Sequence, residues 1–246
     1  MSRTSASTVL FLAALTISTC AAHAESFDNP VQKKVVDLGP SPYLMPNNKQ
    51  HIKLTCSYYP TFMVKELNDP GNKGALYIST VAIEPEHTPP CTKKHRPNER
   101  VFKDWDGYFA GVKRSLLFLY ASDGDGGGLP FAVFDPTSGA KILEDSVKLE
   151  NGGERELDFI HTTGTQITLR YLRVVTEDCS LLKDGASCWN KFSNRIGLKA
   201  APMPKCNYEG EDVQAYSVIA YPVETSFFPK PSIKALANPS MCWPHE

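Results

Sequence analysis

No stretch of this chain supplies the roughly 18–20 consecutive apolar residues that a membrane-spanning helix requires, so the sequence predicts no transmembrane segment. An excess of one charge is also missing, with 26 Lys and Arg against 27 Asp and Glu. That balance lacks the basic surplus with which nucleic-acid binders neutralise phosphates, and no nucleic-acid partner is expected. Familiar catalytic motifs do not occur. There is no Gly-x-Ser-x-Gly nucleophile elbow, no His-Glu-x-x-His zinc helix and no phosphate loop ending Gly-Lys-Ser/Thr. Short cysteine pairs are missing too, and His51, His87, His95, His161 and His245 are scattered. Zinc ligands need spacings of a few residues to close a tetrahedron, so the cysteines read as disulfide partners and no cofactor is called for.

What is present starts with a leader. Residues 1–24 hold Arg3, an apolar stretch from Val9 to Ile17, and the ending Ala22-His23-Ala24. Small residues at those last and third-last positions are what a signal peptidase accepts, which predicts cleavage between Ala24 and Glu25. The product would be a soluble protein of the bacterial periplasm or exterior, an oxidising place where thiols form disulfides. Cys20 leaves with the leader. Cys56, Cys91, Cys179, Cys188, Cys206 and Cys242 remain. Their grouping into three successive pairs predicts Cys56–Cys91, Cys179–Cys188 and Cys206–Cys242.

Domain organisation follows from proline and periodicity. Residues 25–50 are polar and broken by Pro30, Pro40, Pro42 and Pro46, which reads as an irregular lead-in with room for one short strand near Val35 and Val36. Residues 51–246 read as a single β-rich domain with a proline-rich C-terminal tail beyond Pro222. Ile52, Leu54 and Cys56 alternate with His51, Lys53 and Thr55, the period of a half-buried strand. Leu116 to Tyr120 is continuously apolar, as for a strand covered on both faces. Between Gln166 and Val175 the apolar phase shifts after Tyr171, which predicts a β-bulge. One segment has helical spacing: Ser187 as N-cap, Trp189, Phe192 and Ile196 on one face, and Gly197 to end it. The fold class is mainly β, an antiparallel β-sandwich or distorted barrel of nine or ten strands with one or two short helices, stapled by disulfides. A small propeller-like fold is the alternative, weakened because strands that end alike before Pro85, Pro136 and Pro222 recur at unequal intervals.

With the thiols paired, carboxylates are the remaining chemistry. Asp104-Trp105-Asp106-Gly107-Tyr108 sets two carboxylates around an aromatic shelf, the residue types that stack on a sugar face and accept from its hydroxyls. Asp104, Trp105, Asp106 and Tyr108 are therefore candidate binding residues, and an aromatic anchor on the core is the plainer reading. Asp123 and Asp125, in a glycine-rich turn, offer two oxygens to Ca²⁺ but lack the third ligand and the glutamate of an EF-hand. A hairpin turn explains them as well. Lys93, Lys94, His95, Arg96 and Arg100 form a basic loop suited to an anionic envelope component, or merely to solvent. Glu144, Asp145 and the acidic stretch after them read as solvent-facing. The sequence thus favours a non-catalytic binding or interaction protein of unknown ligand, with a glycan or envelope component as the candidate. A carboxylate-based hydrolase, or an envelope structural or inhibitory protein, is the alternative.

Overall fold

A computed structural model describes residues 26–45, 47–149, 157–161, 166–199, 201–206, 216–237 and 239–244. The leader and its cleavage site lie outside them. In chain order the elements are β1 (Gln32–Pro40), β2 (His51–Tyr58), β3 (Phe62–Asn68), β4 (Ala75–Ala82), β5 (Glu99–Val101), β6 (Gly107–Lys113), β7 (Leu116–Ala121), β8 (Gly128–Phe134), β9 (Lys141–Lys148), β10 (Asp158–His161), β11 (Ile167–Glu177), α1 (Ala186–Arg195), β12 (Ser217–Ser226), β13 (Ser232–Ala235) and β14 (Met241–Pro244). The strands form two antiparallel sheets. One has five strands in the order β1-β2-β3-β4-β5; the other has nine, in the order β13-β12-β11-β9-β8-β7-β6, with β10 beside β11 and β14 beside β12. The fold is a β-sandwich with no closed barrel among the described residues.

The sheets meet because β7 and β8 are apolar on both faces. Leu117, Leu119, Ala132 and Phe134 face the five-stranded sheet, where they join Phe62, Val64 and Ile78 in one buried cluster. Leu116, Phe118, Phe131 and Val133 point the other way, into the main core with Leu169, Tyr171, Ile219, Tyr221 and Phe192. The nine-stranded sheet curls to close that core: Phe118 on β7 meets Phe159 on β10 edge-on at 5.3 Å, and Phe131 on β8 meets Tyr171 on β11 at 5.2 Å. The outer face of the five-stranded sheet has its own small core of Leu54, Cys56, Tyr58, Met63, Leu67 and Val81.

All three predicted disulfides form, Cys56–Cys91, Cys179–Cys188 and Cys206–Cys242. Other expectations need correction. The strand expected near Val35 and Val36 is there, but as the nine-residue edge strand β1, which fits between Pro30 and the terminal Pro40, and Phe27 ahead of it packs edge-on against Phe159 at 4.9 Å. The tail beyond Pro222 is likewise structured, for β12 runs through Pro222 to Ser226. On that edge β14 pairs with Ser217–Ala220 and β13 with Val223–Ser226, so the proline, which has no N–H to give, falls in the gap between them. No bulge interrupts β11 against β12, whose register is continuous from Thr168↔Ser226 to Glu177↔Ser217. The shift of phase has another origin: Val174 faces outward into a separate cluster with Val218, Ala220 and Trp243. α1 begins after Gly185, at φ 51°, without a side-chain cap from Ser187. Its end matches expectation. Gly197 takes φ 80°, and its N–H and that of Leu198 donate to the carbonyls of Asn194 and Ser193, a Schellman closure.

Candidate functional site

The aromatic shelf faces the protein. Trp105 Nε1 donates to the Tyr120 carbonyl at 3.2 Å while its ring lies edge-on to Phe134, and the Tyr108 hydroxyl accepts the Gly74 N–H at 2.9 Å. Asp104 and Asp106 are exposed. The turn before β4 brings the two candidate loops together, since Lys73 pairs with Asp123 and Ser122 N–H donates to the Asp106 carbonyl. The Lys73 ammonium and the Gly124 N–H hold the exposed Asp123 carboxyl below its usual range. Asp125 and Gly128 exchange both backbone hydrogen bonds around Gly126 and Gly127, at φ 53° and 79°, which is a two-residue hairpin turn. Trp243 from β14 caps it, donating Nε1–H to the Gly126 carbonyl at 2.9 Å. Among the described residues the one three-member group of potential metal ligands is Glu177, Asp178 and Cys179, whose thiol is in a disulfide.

The basic loop is pinned from below. Glu99, its side chain 1% exposed, accepts from Lys65 Nζ at 2.9 Å, Ser79 Oγ at 2.6 Å, His95 Nδ1 at 2.9 Å and the Arg96 N–H at 2.9 Å. Lys65 Nζ also donates to the Lys94 carbonyl, and the Tyr77 hydroxyl to that of Lys93. The Lys93 and Lys94 carbonyls thus turn inward with the His95 ring, while the side chains of Lys93, Lys94 and Arg100 are exposed.

Two further concavities contain none of the candidate binding, metal or basic-loop residues. The larger, about 810 Å³, is at one end of the sandwich and spans both sheets. Tyr59, Pro60, Thr61 and Phe62 line it from the β2–β3 turn, Arg114 and Ser115 from the β6–β7 turn, with Gln166, Phe228 and Pro229 opposite. Phe228 is 46% exposed there, a large apolar side chain without cover. Tyr59 and Phe62 stack at 5.5 Å to form the floor. Burial, with Asp28 nearby, pushes the Tyr59 hydroxyl up to about 12, so it stays a neutral donor. Arg114 takes φ 55°, the one non-glycine at positive φ among the described residues, in a hairpin turn where glycine or asparagine would be relaxed. Strain of that kind is commonly kept where a side chain must be aimed.

The second concavity, about 440 Å³, lies between the end of α1 and the inner face of β11, β12 and β13, lined by Arg173, Val175, Arg195, Ile196, Tyr221, Ile233 and Ala235. A buried network stands behind it. Asp145 is not solvent-facing as predicted, its side chain being 5% exposed. It accepts from Arg173 Nε at 2.7 Å and from the Tyr171 hydroxyl, which in turn accepts from Thr225 Oγ1 at 3.3 Å. Arg173 Nη1 donates to the Tyr221 hydroxyl at 3.2 Å. Burial and the Asp145 charge push the Tyr171 hydroxyl far up, while Arg173, though desolvated, is held firmly cationic by Asp145. The legible signal was parity: Arg173 and Glu177 share the side of β11 that Ile167, Leu169 and Tyr171 bury, and charge on a core-facing side needs partners. The end cleft had no comparable signal, because its residues come from four turns.

No family model matches this chain, and no curated protein or solved structure matches it.

Proposed function

We propose that the protein is an exported, non-catalytic binding protein that takes an apolar or aromatic part of its ligand into the end cleft. The observation that carries this reading is an uncovered aromatic and proline surface shared by turns of both sheets, in a concavity within the size range of small-molecule sites. Residues drawn from separate turns of a rigid scaffold are the usual way a β-sandwich builds recognition. Three disulfides favour an oxidising compartment, the bacterial periplasm or exterior, reached after cleavage between Ala24 and Glu25. Among the described residues no helix is long and apolar enough to cross a membrane. The hydrolase alternative is less supported, because Asp104, Asp106, Asp123 and Asp125 line neither concavity. The glycan reading is less supported, because the Trp105 indole N–H and the Tyr108 hydroxyl are engaged with the protein.

The test is titration with N-phenyl-1-naphthylamine, a neutral apolar fluorophore. Saturable enhancement is expected, weakened about tenfold by Phe228→Ala through lost apolar contact and abolished by Thr61→Arg, which fills the opening. Wild-type affinity in both variants would place the probe elsewhere and sink the assignment.

A further inference from the structure

The arginine-lined concavity stands apart from the end cleft and shares no residue with it. We propose that it binds a small oxyanion, the carboxylate of an organic acid or a phosphate. Three donor groups converge on it with capacity left over. Arg173 spends Nε on Asp145 and one Nη1 hydrogen on Tyr221, which leaves Nη2 with no partner among the described residues. The Tyr221 hydroxyl accepts from Arg173 and donates to no described group, so its own hydrogen is available. Arg195 gives one Nη2 contact to Glu177 and keeps the rest of its fork. A guanidinium edge beside a hydroxyl matches the coplanar oxygens of an oxyanion, and hydrogen bonds to a charged acceptor are the strong ones.

Asp145 and Glu177 offset the two arginine charges, but neither lines the concavity, so recognition rests on the donor hydrogens that face it rather than on net charge. Their side chains are 5% and 2% exposed. They act as buried backing that fixes each guanidinium, so little rotamer freedom is lost when a ligand arrives. Arg195 is held twice, by Glu177 and by its guanidinium lying 5.6 Å from the Phe192 ring centre, and that ring meets Tyr221 edge-on at 5.4 Å. The C-terminal end of a helix ordinarily repels an anion. Here the carbonyls of Phe192, Ser193 and Asn194 accept from the N–H groups of Ile196, Leu198 and Gly197, which reduces that repulsion. Val175, Ile196, Ile233 and Ala235 add an apolar wall suited to a short hydrocarbon body.

The experiment is calorimetric titration of the oxidised protein at about 20 mM ionic strength, where charge is least screened, with sodium benzoate, sodium butyrate and inorganic phosphate as separate probes. One-to-one saturable binding of at least one probe is expected. Carboxylates alone would specify an organic acid, and phosphate alone a phosphate, within the same site. Tyr221→Phe, which keeps the buried ring, and Arg195→Lys, which keeps the charge opposite Glu177, should each weaken binding about tenfold with an unchanged far-ultraviolet spectrum. Lys94→Gln/Arg96→Gln, on the basic loop, should leave it unchanged. No saturation by any probe up to about 10 mM would overturn the proposal. So would binding that survives both site variants, or binding lost in the loop variant alone.

Discussion

Replacing Glu99 with glutamine should destabilise the protein more than any other single change in the polar network under the basic loop. Lys65 and Glu99 have side chains 2% and 1% exposed, so the amide would leave an ammonium buried opposite no charge. Breaking a buried pair from one side costs about 3–5 kcal/mol. That is a large part of the roughly 5–15 kcal/mol that holds a domain folded. With a urea dependence of about 2–3 kcal/mol per molar, the unfolding midpoint should fall by about 1–2.5 M. Lys65→Met should cost less, because Glu99 would keep Ser79, His95 and the Arg96 N–H, whereas Lys65 without Glu99 keeps the Lys94 carbonyl and the Tyr77 ring. The double variant Lys65→Met/Glu99→Met should recover only part of the loss, since the two apolar chains need no partners but the Ser79 hydroxyl and the Arg96 N–H lose theirs. Acid sharpens the test. Burial raises the Glu99 carboxyl, but donation from Ser79, Lys65, the Arg96 N–H and His95 outweighs it and leaves the group below its ordinary 4.5. A carboxyl lowered on folding contributes stability that is complete above its unfolded value and is lost as pH falls through its folded one. The gap between wild type and Glu99→Gln should therefore be flat above about pH 5 and close on acidification. A midpoint shift under about 0.3 M, or a gap that widens in acid, would refute the reasoning.

Reduction should act unevenly. The Cys179–Cys188 and Cys206–Cys242 bridges hold α1 and β14, while β12 is held independently by its ten-residue ladder with β11. Hydrogen exchange with and without reductant should show α1 and β14 losing protection while β12 keeps it, and equal loss in β12 would contradict this. Cys179→Ala/Cys188→Ala should cost about 2–3 kcal/mol in chemical unfolding, the amount a loop this short removes from the unfolded chain, and no measurable loss would be the contrary result. Gly127→Ala and Gly139→Ala place a side chain at φ 79° and 77°, which costs about 1–2 kcal/mol in either case. A Cβ on Gly127 also meets the Trp243 ring at 3.1 Å, whereas one on Gly139 meets nothing within 4 Å. Thermal unfolding should therefore rank Gly127→Ala as the more damaging, and equal costs would remove Trp243 from the account.

The fold was legible where burial is one-sided or complete. Leu116 to Tyr120 declared a strand covered on both faces: Leu117 and Leu119 meet the five-stranded sheet, while Leu116 and Phe118 face the core that the nine-stranded sheet closes with α1. Grouping the cysteines into successive pairs pointed to the three disulfides that form, although spacing by itself leaves fifteen connectivities open. Edge strands were harder. β1 is mostly exposed, so no buried face imposed a period on its sequence, and its membership rests on backbone pairing with β2 that any residue but proline can make. The phase shift in β11 was visible and misassigned, because a reader of one strand cannot know that Trp243, far along the chain, covers the opposite face beside Val174.

The candidate sites were less legible for a related reason: a local motif reports on residues near one another in sequence, and neither concavity is built that way. In Asp104 to Tyr108 the chemistry-bearing groups crowd into a single segment, and there the aromatic side chains are spent on the segment's own anchoring. The second concavity instead draws Arg173 from β11, Arg195 from α1 and Tyr221 from β12, with Asp145 on β9 behind them. Such a cluster can be inferred only once a sheet order places β9, β11 and β12 side by side. Inward parity of Arg173 was the one trace it left in the sequence. A strand rarely directs a guanidinium into its core without a buried carboxylate to receive it, and asking which acid could serve would have led from Arg173 to Asp145, the residue that reading by local charge assigned to solvent.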